Sequence, residues 1–409
     1  MWPRKTIDIG YANLFRGLGY SALVHQKDND RLDSDDANFV CLSVRSGFDT
    51  LLGAVNFDRG SEVLFSELNI SNMERITRAN GFVPVSVPLN DASWSIDAKA
   101  IEANLTPRTK MVVISHLFGR RECLREISAI AQRHNILLVQ DCAQSFRHPR
   151  NFGDTAADIS MYSFGPIKTC SCLGGAILRT NNPALATNFA TAHHQLSRQS
   201  NIEFAKRIGK YIFLKTFEHP FIFKLFYRSI KKFGRDPDGF IANLARGFSK
   251  SDFFEQIRRR PSAGLKALLA HRLENYDFDM LHHRAELGHQ LSDLLSPSVP
   301  LPGCSGHTSD HYWVFPILSR NPTELVRRLL DHGFDATQRN SLSVVGDSKS
   351  TQTPGTEFLQ QVVFLPLDNR MDKQTLRLLA RIVNDHENTL ESDESLTNKT
   401  TSRQRVPAR

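Results

Sequence analysis

Asp141 closes the apolar run Leu138-Val139-Gln140, and Lys168 closes the run Tyr162-Ser163-Phe164-Gly165-Pro166-Ile167 shortly before a Gly174-Gly175 turn. A carboxylate at one strand's end and an amine in the loop behind another suit an aldehyde cofactor of the pyridoxal phosphate type. The amine can hold the aldehyde as a Schiff base and then act as a general base. The carboxylate keeps the pyridine nitrogen protonated, so that the ring can accept electrons. Ala143, two residues after Asp141, offers a small side chain to the ring face. Ser46-Gly47-Phe48, read as opening the helix after the first strand, offers backbone N–H groups to a phosphate, with the Ser163 hydroxyl beside them. Each residue has an ordinary alternative. A strand-end aspartate caps turns, a lysine behind a strand is usually solvated, and Ser-Gly before a helix is an N-cap. Their order along the carboxyl edge of one predicted parallel sheet is what joins them, because ligands of such sheets bind there.

The elements that must position these residues alternate along the chain. Phe39–Leu42, Glu62–Phe65, Val83–Val87, Met111–Ser115 and Ile136–Gln140 read as short buried strands. Asn72–Asn80, Asp97–Asn104 and Glu122–Arg133 read as helices between them, which is the pattern of stacked βαβ units. Ala176–Leu178 adds a strand after the glycine turn. The fold class expected is therefore α/β, a large domain on a mostly parallel sheet with a smaller α+β domain at the C-terminal end. The divisions are an arm over 1–36, a large domain over 37–195, a basic aromatic insertion over 196–261, a small domain over 262–388 and a disordered tail over 389–409. The small domain is built on one helix over 262–295, helices over 323–332 and 372–384, and strands over 311–318 and 362–367. Its tail is Ser-, Thr-, Asp- and Arg-rich.

Composition narrows the classes further. The 409 residues are 40% hydrophobic and 23% charged, ordinary values for a folded globular chain rather than a collagen-like, coiled-coil or disordered one. No window approaches the roughly 20 apolar residues of a membrane span, and the opening lacks a secretory signal, so a cytoplasmic chain is expected. The six cysteines then read as free thiols. Cys170-x-Cys172 with His148 is a metal corner without a second pair, and His193-His194 and His282-His283 lack a carboxylate at metal spacing, so no metal is expected. The net charge of +8 is concentrated: residues 196–262 hold 15 Lys and Arg against 6 Asp and Glu, interleaved with 13 aromatics. That composition fits either peripheral contact with an anionic membrane or a helical hairpin packed on the protein. Without a helix-turn-helix, finger or RNP-like pattern, no nucleic-acid partner is expected.

Longer motifs extend the reading. Gly81-Phe82-Val83-Pro84-Val85, Ile101-Glu102 through Thr109-Lys110, His116-Leu117-Phe118-Gly119, Gln140-Asp141-Cys142-Ala143-Gln144 and Asp158 through Ser163-Phe164 to Lys168 follow in order. Together they resemble the DegT/StrS type of fold-type-I aminotransferases, which aminate keto-sugar nucleotides. The resemblance covers most of 37–195 and, more faintly, 262–385. It implies that Lys168 is the Schiff-base residue, Asp141 the pyridinium partner, Gln144 a ring or O3′ contact and Ser163 a phosphate ligand. His116 is a candidate cofactor contact whose alternative is a buried, hydrogen-bonded packing role. Retention of the lysine favours transamination over the dehydration carried out by members with histidine there.

The chain also departs from the family. Phe48 stands where a threonine hydroxyl usually meets the phosphate, Ile70 where an aromatic usually stacks on the ring, and Arg258-Arg259-Arg260-Pro261 where an asparagine often reaches the neighbouring subunit's phosphate. The expectation is a homodimeric pyridoxal phosphate aminotransferase that uses L-glutamate or a similar donor and a keto or aldehyde acceptor, nucleotide-linked or lipid-linked. A lyase or dehydratase using the same cofactor is one alternative; a non-catalytic binding relative, favoured by Phe48 and Ile70, is the other.

Overall fold

The computed structural model describes the chain apart from residues 5, 25–37, 92, 148–155, 220, 223, 226–228, 230–251, 303–309, 339–340, 347–351 and 404–409, and of Glu218 and residues 391–403 only the backbone. Helix α1 (Tyr11–Leu23) precedes β1 (Asn38–Cys41), α2 (Val44–Ala54), β2 (Glu62–Ser66), β3 (Leu68–Ile70) and α3 (Ser71–Ala79). Next come β4 (Val83–Val87), α4 (Ala98–Ala103), β5 (Thr109–Ser115), α5 (Arg125–Arg133), β6 (Leu137–Asp141), β7 (Ile159–Ser163), β8 (Ala176–Thr180) and α6 (Pro183–Gln195). Seven of these strands form one sheet in the order β1-β8-β7-β6-β5-β2-β4. Strands β4, β2, β5, β6 and β7 run parallel, while β8 is antiparallel to both β7 and β1.

Alternation along the strands builds three layers. Val63 and Phe65 of β2 and Met111 and Val113 of β5 join a core with Phe48, Leu51 and Leu52 of α2 and Met73 and Ile76 of α3. Leu64, Val112 and Ile114 point the other way, into a core with Ile101 of α4 and Ile127 and Ile130 of α5. Period-two side chains facing period-3.6 helices on both sides are what a doubly covered parallel sheet requires.

The basic aromatic segment begins with β9 (Ser197–Arg198) and α7 (Asn201–Lys215), followed by a 3-10 turn at Thr216–Glu218 and, further on, by α8 (Phe253–Ile257) and β10 (Arg259–Arg260). Ser200 and Glu203 close a reciprocal capping box at the start of α7. Strands β9 and β10 pair in parallel, so both ends of the segment meet. Most of its middle lies outside the described residues. Each arginine of the triplet is engaged within the chain: Arg258 with Asp49, Arg259 with Glu203, and Arg260 with the Leu196 carbonyl and His194. No described helix is long and apolar enough to cross a membrane.

The packing divides the chain later than the sequence suggests. The helix read over 262–295 is two, α9 (Ala263–Glu274) and α10 (Asp279–Leu294), interrupted where Tyr276 turns to donate its hydroxyl proton to Asp8 at 2.6 Å. Leu265, Leu268 and Leu269 of α9 share a core with Tyr162 and Phe164, and thus belong with the large domain. Helix α1, unread in the arm, lies against α9 and α7. There Gly17 is needed for close approach: a Cβ would meet Ile208 at 3.0 Å and Leu268 at 3.1 Å. The smaller unit contains α10, β11 (Phe315–Leu318), α11 (Pro322–Asp331), β12 (Leu342–Val344), α12 (Pro354–Gln361), β13 (Val362–Leu365) and α13 (Lys373–Arg403). The last helix runs to Arg403, so 389–403 is helical rather than a disordered tail. Its sequence contains no glycine or proline to stop it before Pro407.

Candidate active site

The site residues gather at the carboxyl ends of β5, β6 and β7. Registers Ser115↔Asp141 and Asp141↔Met161 place these ends side by side. Asp141 is 9% exposed, and its Oδ1 accepts the Ala143 N–H at 2.9 Å. Burial pushes its carboxyl above the ordinary carboxylate range, while the Ala143 N–H and then the charges of Lys168 and Arg45 pull it back. The amine and the carboxylate therefore share one electrostatic site. Arg45, in the first turn of α2, was not anticipated. A cation there opposes the positive end of the helix dipole, and that mismatch is the signal that could have singled it out.

Lys168 sits in the turn after β7, its N–H donating to the Gly165 carbonyl at 3.0 Å. Its Nζ lies 3.8 Å from the centre of the Trp313 ring, whose Nε1 donates to the Ile167 carbonyl at 2.8 Å. Ser163 Oγ and Lys168 Cγ flank Gly165, each 3.7 Å from where its Cβ would be. The His116-Leu117-Phe118-Gly119 motif holds Trp313 in place. Gly119 has φ 96°, and a Cβ there would come within 2.6 Å of the Trp313 nitrogen, so only glycine admits the Tyr312–Trp313 backbone. Arg284 completes the seat by donating to the Tyr312, Trp313 and Leu367 carbonyls.

His116 lies beneath the site. It is 1% exposed, and its Nδ1 accepts the Glu122 N–H at 2.9 Å. Its Nε2 therefore carries the proton and donates to Gln140 Oε1 at 3.2 Å. Gln140 Nε2 donates in turn to Ser160 at 2.8 Å. With both nitrogens occupied, His116 positions β5 and β6 and has no ring nitrogen left for a ligand. Burial, and next the Arg121 charge, hold its pKa down to about 3. An unfolded imidazole takes up a proton near 6.5, so this ring contributes stability above that pH and loses it as the pH falls toward 3. Between pH 7 and 5 the loss from His116 is about 2 kcal/mol. Urea unfolding of His116→Gln at the two pH values should show a drop smaller by that amount; an unchanged drop would contradict the assignment.

Gln144 is anchored through Oε1, which accepts the Phe118 N–H at 3.0 Å and leaves the amide nitrogen as a donor. The phosphate segment differs from expectation. Helix α2 opens at Val44, with Ser43 as its cap accepting the Ser46 N–H at 3.2 Å. The Gly47 N–H is taken by the Ser43 carbonyl, and Gly47 serves packing: a Cβ would meet Cys41 Sγ at 3.2 Å. Phe48 is wholly buried, edge-to-face with Phe65. The Phe48 side chain and the Gly47 N–H are therefore both engaged within the protein. Ser46 Oγ lies 3.0 Å from Ser43 Oγ, and the first turn of α2 is where backbone donors lack intrahelical acceptors. Ile70 forms the β3–β12 pair with Leu342 and packs on the core around α2.

A cavity of about 500 Å³ opens beside Lys168. Its walls include Asp8, Lys168, Arg272, Tyr276, Arg284 and Trp313, contributed by the arm, the large domain and the smaller unit. Of the residues singled out from sequence, Lys168 alone lines it. The amine, the paired carboxylate, the small Ala143 and the donors of α2 form a set that fits pyridoxal phosphate. Cys142 and Cys170 are buried thiols pushed up to about 11 and about 12, and the five described cysteines are unbridged. Among the described residues no three metal-ligating side chains cluster; His148 lies outside them.

Comparison with known proteins identifies the segment carrying these residues. Residues 38–210 match the model of the DegT/DnrJ/EryC1/StrS aminotransferase family. This segment belongs to that family. Among curated relatives, the erythromycin biosynthesis sensory transduction protein EryC1 of Saccharopolyspora erythraea is 32% identical over 198 residues, 46% of this chain and 54% of that protein. The 3-oxo-glucose-6-phosphate:glutamate aminotransferase of Bacillus subtilis is 31% identical over 151 residues, 36% of this chain and 33% of that one. The chain thus spans about half or less of the curated relatives it matches. The fold extends further. Helicobacter pylori PseC, an aminotransferase of pseudoaminic acid biosynthesis, superposes with TM-score 0.69 at 14% identity, covering 95% of this chain and 99% of that one. The structure of ntda from Bacillus subtilis, with bound cofactor PMP, superposes with TM-score 0.56 at 17% identity, covering 92% of this chain and 77% of that one.

Proposed function

We propose that the chain is a pyridoxal phosphate aminotransferase that takes an amino group from L-glutamate and delivers it to the carbonyl of a sugar. The observation that carries this is the placement of Asp141 at the end of β6 and of Lys168 in the turn after the adjoining β7, where the amine's charge acts on the carboxylate. When bound, the cofactor supplies an aldehyde that carries the amino group and a ring that accepts electrons. Lys168 Nζ is the amine that holds the cofactor and, once released, the base that moves a proton to and from the donor's α-carbon. The Asp141 carboxylate holds the proton on the ring nitrogen, and the Ala143 N–H fixes its orientation. The Trp313 ring packs against Lys168 Nζ at the cavity wall and restricts where the amine can point. Ser46, Ser163 and the first turn of α2 are the donors for the phosphate, and Gln144 contributes its amide nitrogen.

The acceptor reading draws on the relatives, whose names specify keto-sugar phosphates and nucleotide-linked sugars. A nucleotide-linked or lipid-linked keto sugar and a homodimeric assembly complete the proposal; the charge of 196–261 supports the lipid-linked form. The test is ¹⁵N-glutamate incubated with the loaded protein and a panel of keto-sugar nucleotides and keto-sugar phosphates. Label appearing in an amino sugar supports the reading. Glutamate deamination whose label is released as ammonia would instead point to a lyase.

A further inference from the structure

A basic cluster at the same sheet edge has no task in the chemistry above. Arg121 follows β5 and Arg147 follows β6, two adjacent parallel strands, while Asp310 and His311 arrive from the smaller unit. The cluster is tied together locally: Arg121 Nη2 donates to the Ser145 carbonyl at 3.5 Å, and the His311 N–H donates to the Gly119 carbonyl at 3.3 Å. Burial, and then the Arg121 charge, lower the Arg147 pKa; burial, and then Arg147, hold His311 to about 4.

Three polar atoms of the cluster have no partner among the described residues. Arg121 Nε, Arg147 Nε and His311 Nδ1 are all buried without a hydrogen-bond partner. Asp310, 2% exposed, is the carboxylate that acts on Arg147, and nearby Glu122 is already paired with Arg120. Among the described residues, two half-buried guanidinium groups with buried Nε atoms face the Asp310 carboxylate, an excess of positive charge that an added anion would offset. Paired guanidinium forks match the oxygens of a phosphoryl group or a carboxylate. His311 lies two residues before Trp313, whose ring centre is 3.8 Å from Lys168 Nζ; Arg121, Arg147 and His311 stand outside the lining of the cavity that Lys168 and Trp313 share.

We propose that Arg121 and Arg147, with His311, form an oxyanion clamp for the charged end of a substrate, at the same sheet edge as Asp141. That the anion belongs to an amino donor or acceptor rests on the aminotransferase reading; the existence of the anion site does not.

The test is calorimetric titration of the pyridoxal phosphate-loaded protein, in which the cofactor's own phosphate site is filled. Inorganic phosphate probes for a phosphorylated sugar, and acetate for the donor's carboxylate. The wild type should bind at least one of them. Arg121→Gln and Arg147→Gln should each weaken that binding tenfold or more, and together abolish it, with the cofactor band retained. The paired Arg→Lys variant should keep part of the affinity, which separates loss of charge from loss of fold. Failure of the wild type to bind either anion, or Gln variants within twofold of wild type, would overturn the clamp. If the lysine-bound cofactor band never forms, the aminotransferase reading fails. The arginine dependence of anion binding, measured on the unloaded protein, still decides the clamp.

Discussion

Replacing Lys168 by alanine is expected to eliminate the visible band formed with pyridoxal phosphate and to slow glutamate-dependent amino transfer by about 10²–10⁴-fold. The reasoning is that Nζ has two tasks that no other described group at the site can take over: holding the cofactor and moving the α-proton. The fold should tolerate the change. Lys168 is half-buried, and among its tertiary contacts the Trp313 ring at 3.8 Å is worth about 0.5–2 kcal/mol. A melting temperature within a few degrees of wild type, together with the lost band, would separate a chemical role from a structural one. Retained turnover would remove Lys168 from the mechanism.

The second large effect is expected for Asp141→Asn. Asparagine keeps the shape and can still accept the Ala143 N–H, so the loop after β6 should hold. What disappears is the negative charge facing Lys168 and Arg45, and with it the group that keeps the ring nitrogen protonated. Loss of one preorganised charge of this kind costs about 10²–10³ in kcat. Burial disfavours the charged carboxylate, while its loss leaves Arg45 without its counter-charge, so the two effects on stability oppose each other and a variant that still folds is expected. A band that forms while turnover falls is the expected signature. Unchanged turnover would mean that Asp141 only caps its turn.

These residues were legible because their signals are local. Asp141 ends an apolar run and Lys168 precedes a glycine turn, and the apolar runs of β2 and β5 mark them as buried strands. What escaped depends on contacts distant in sequence. Asp8 reaches Tyr276 and the Cys170 N–H across most of the chain, and thereby breaks the apparently continuous helix after Ser262 in two. Trp313 meets Lys168 only because Gly119 lacks a Cβ, a dependence that no periodicity reveals. Helix α1 carries two glycines, which lower its propensity, yet one of them is what lets it pack. Phe48 was placed at the phosphate by alignment of a motif; the structure turns its side chain into the core because α2 begins at Val44. The tail was judged by its polarity, whereas helix continuation depends on the absence of a breaker.

The measurement that bears most directly on the central claim is the visible spectrum of the purified protein with pyridoxal phosphate, before and after L-glutamate, with Lys168→Ala beside it. The account predicts a band in the wild type alone, bleached by glutamate as an equal amount of 2-oxoglutarate appears. A wild-type protein that forms no band, or a band that glutamate leaves unchanged, would contradict it.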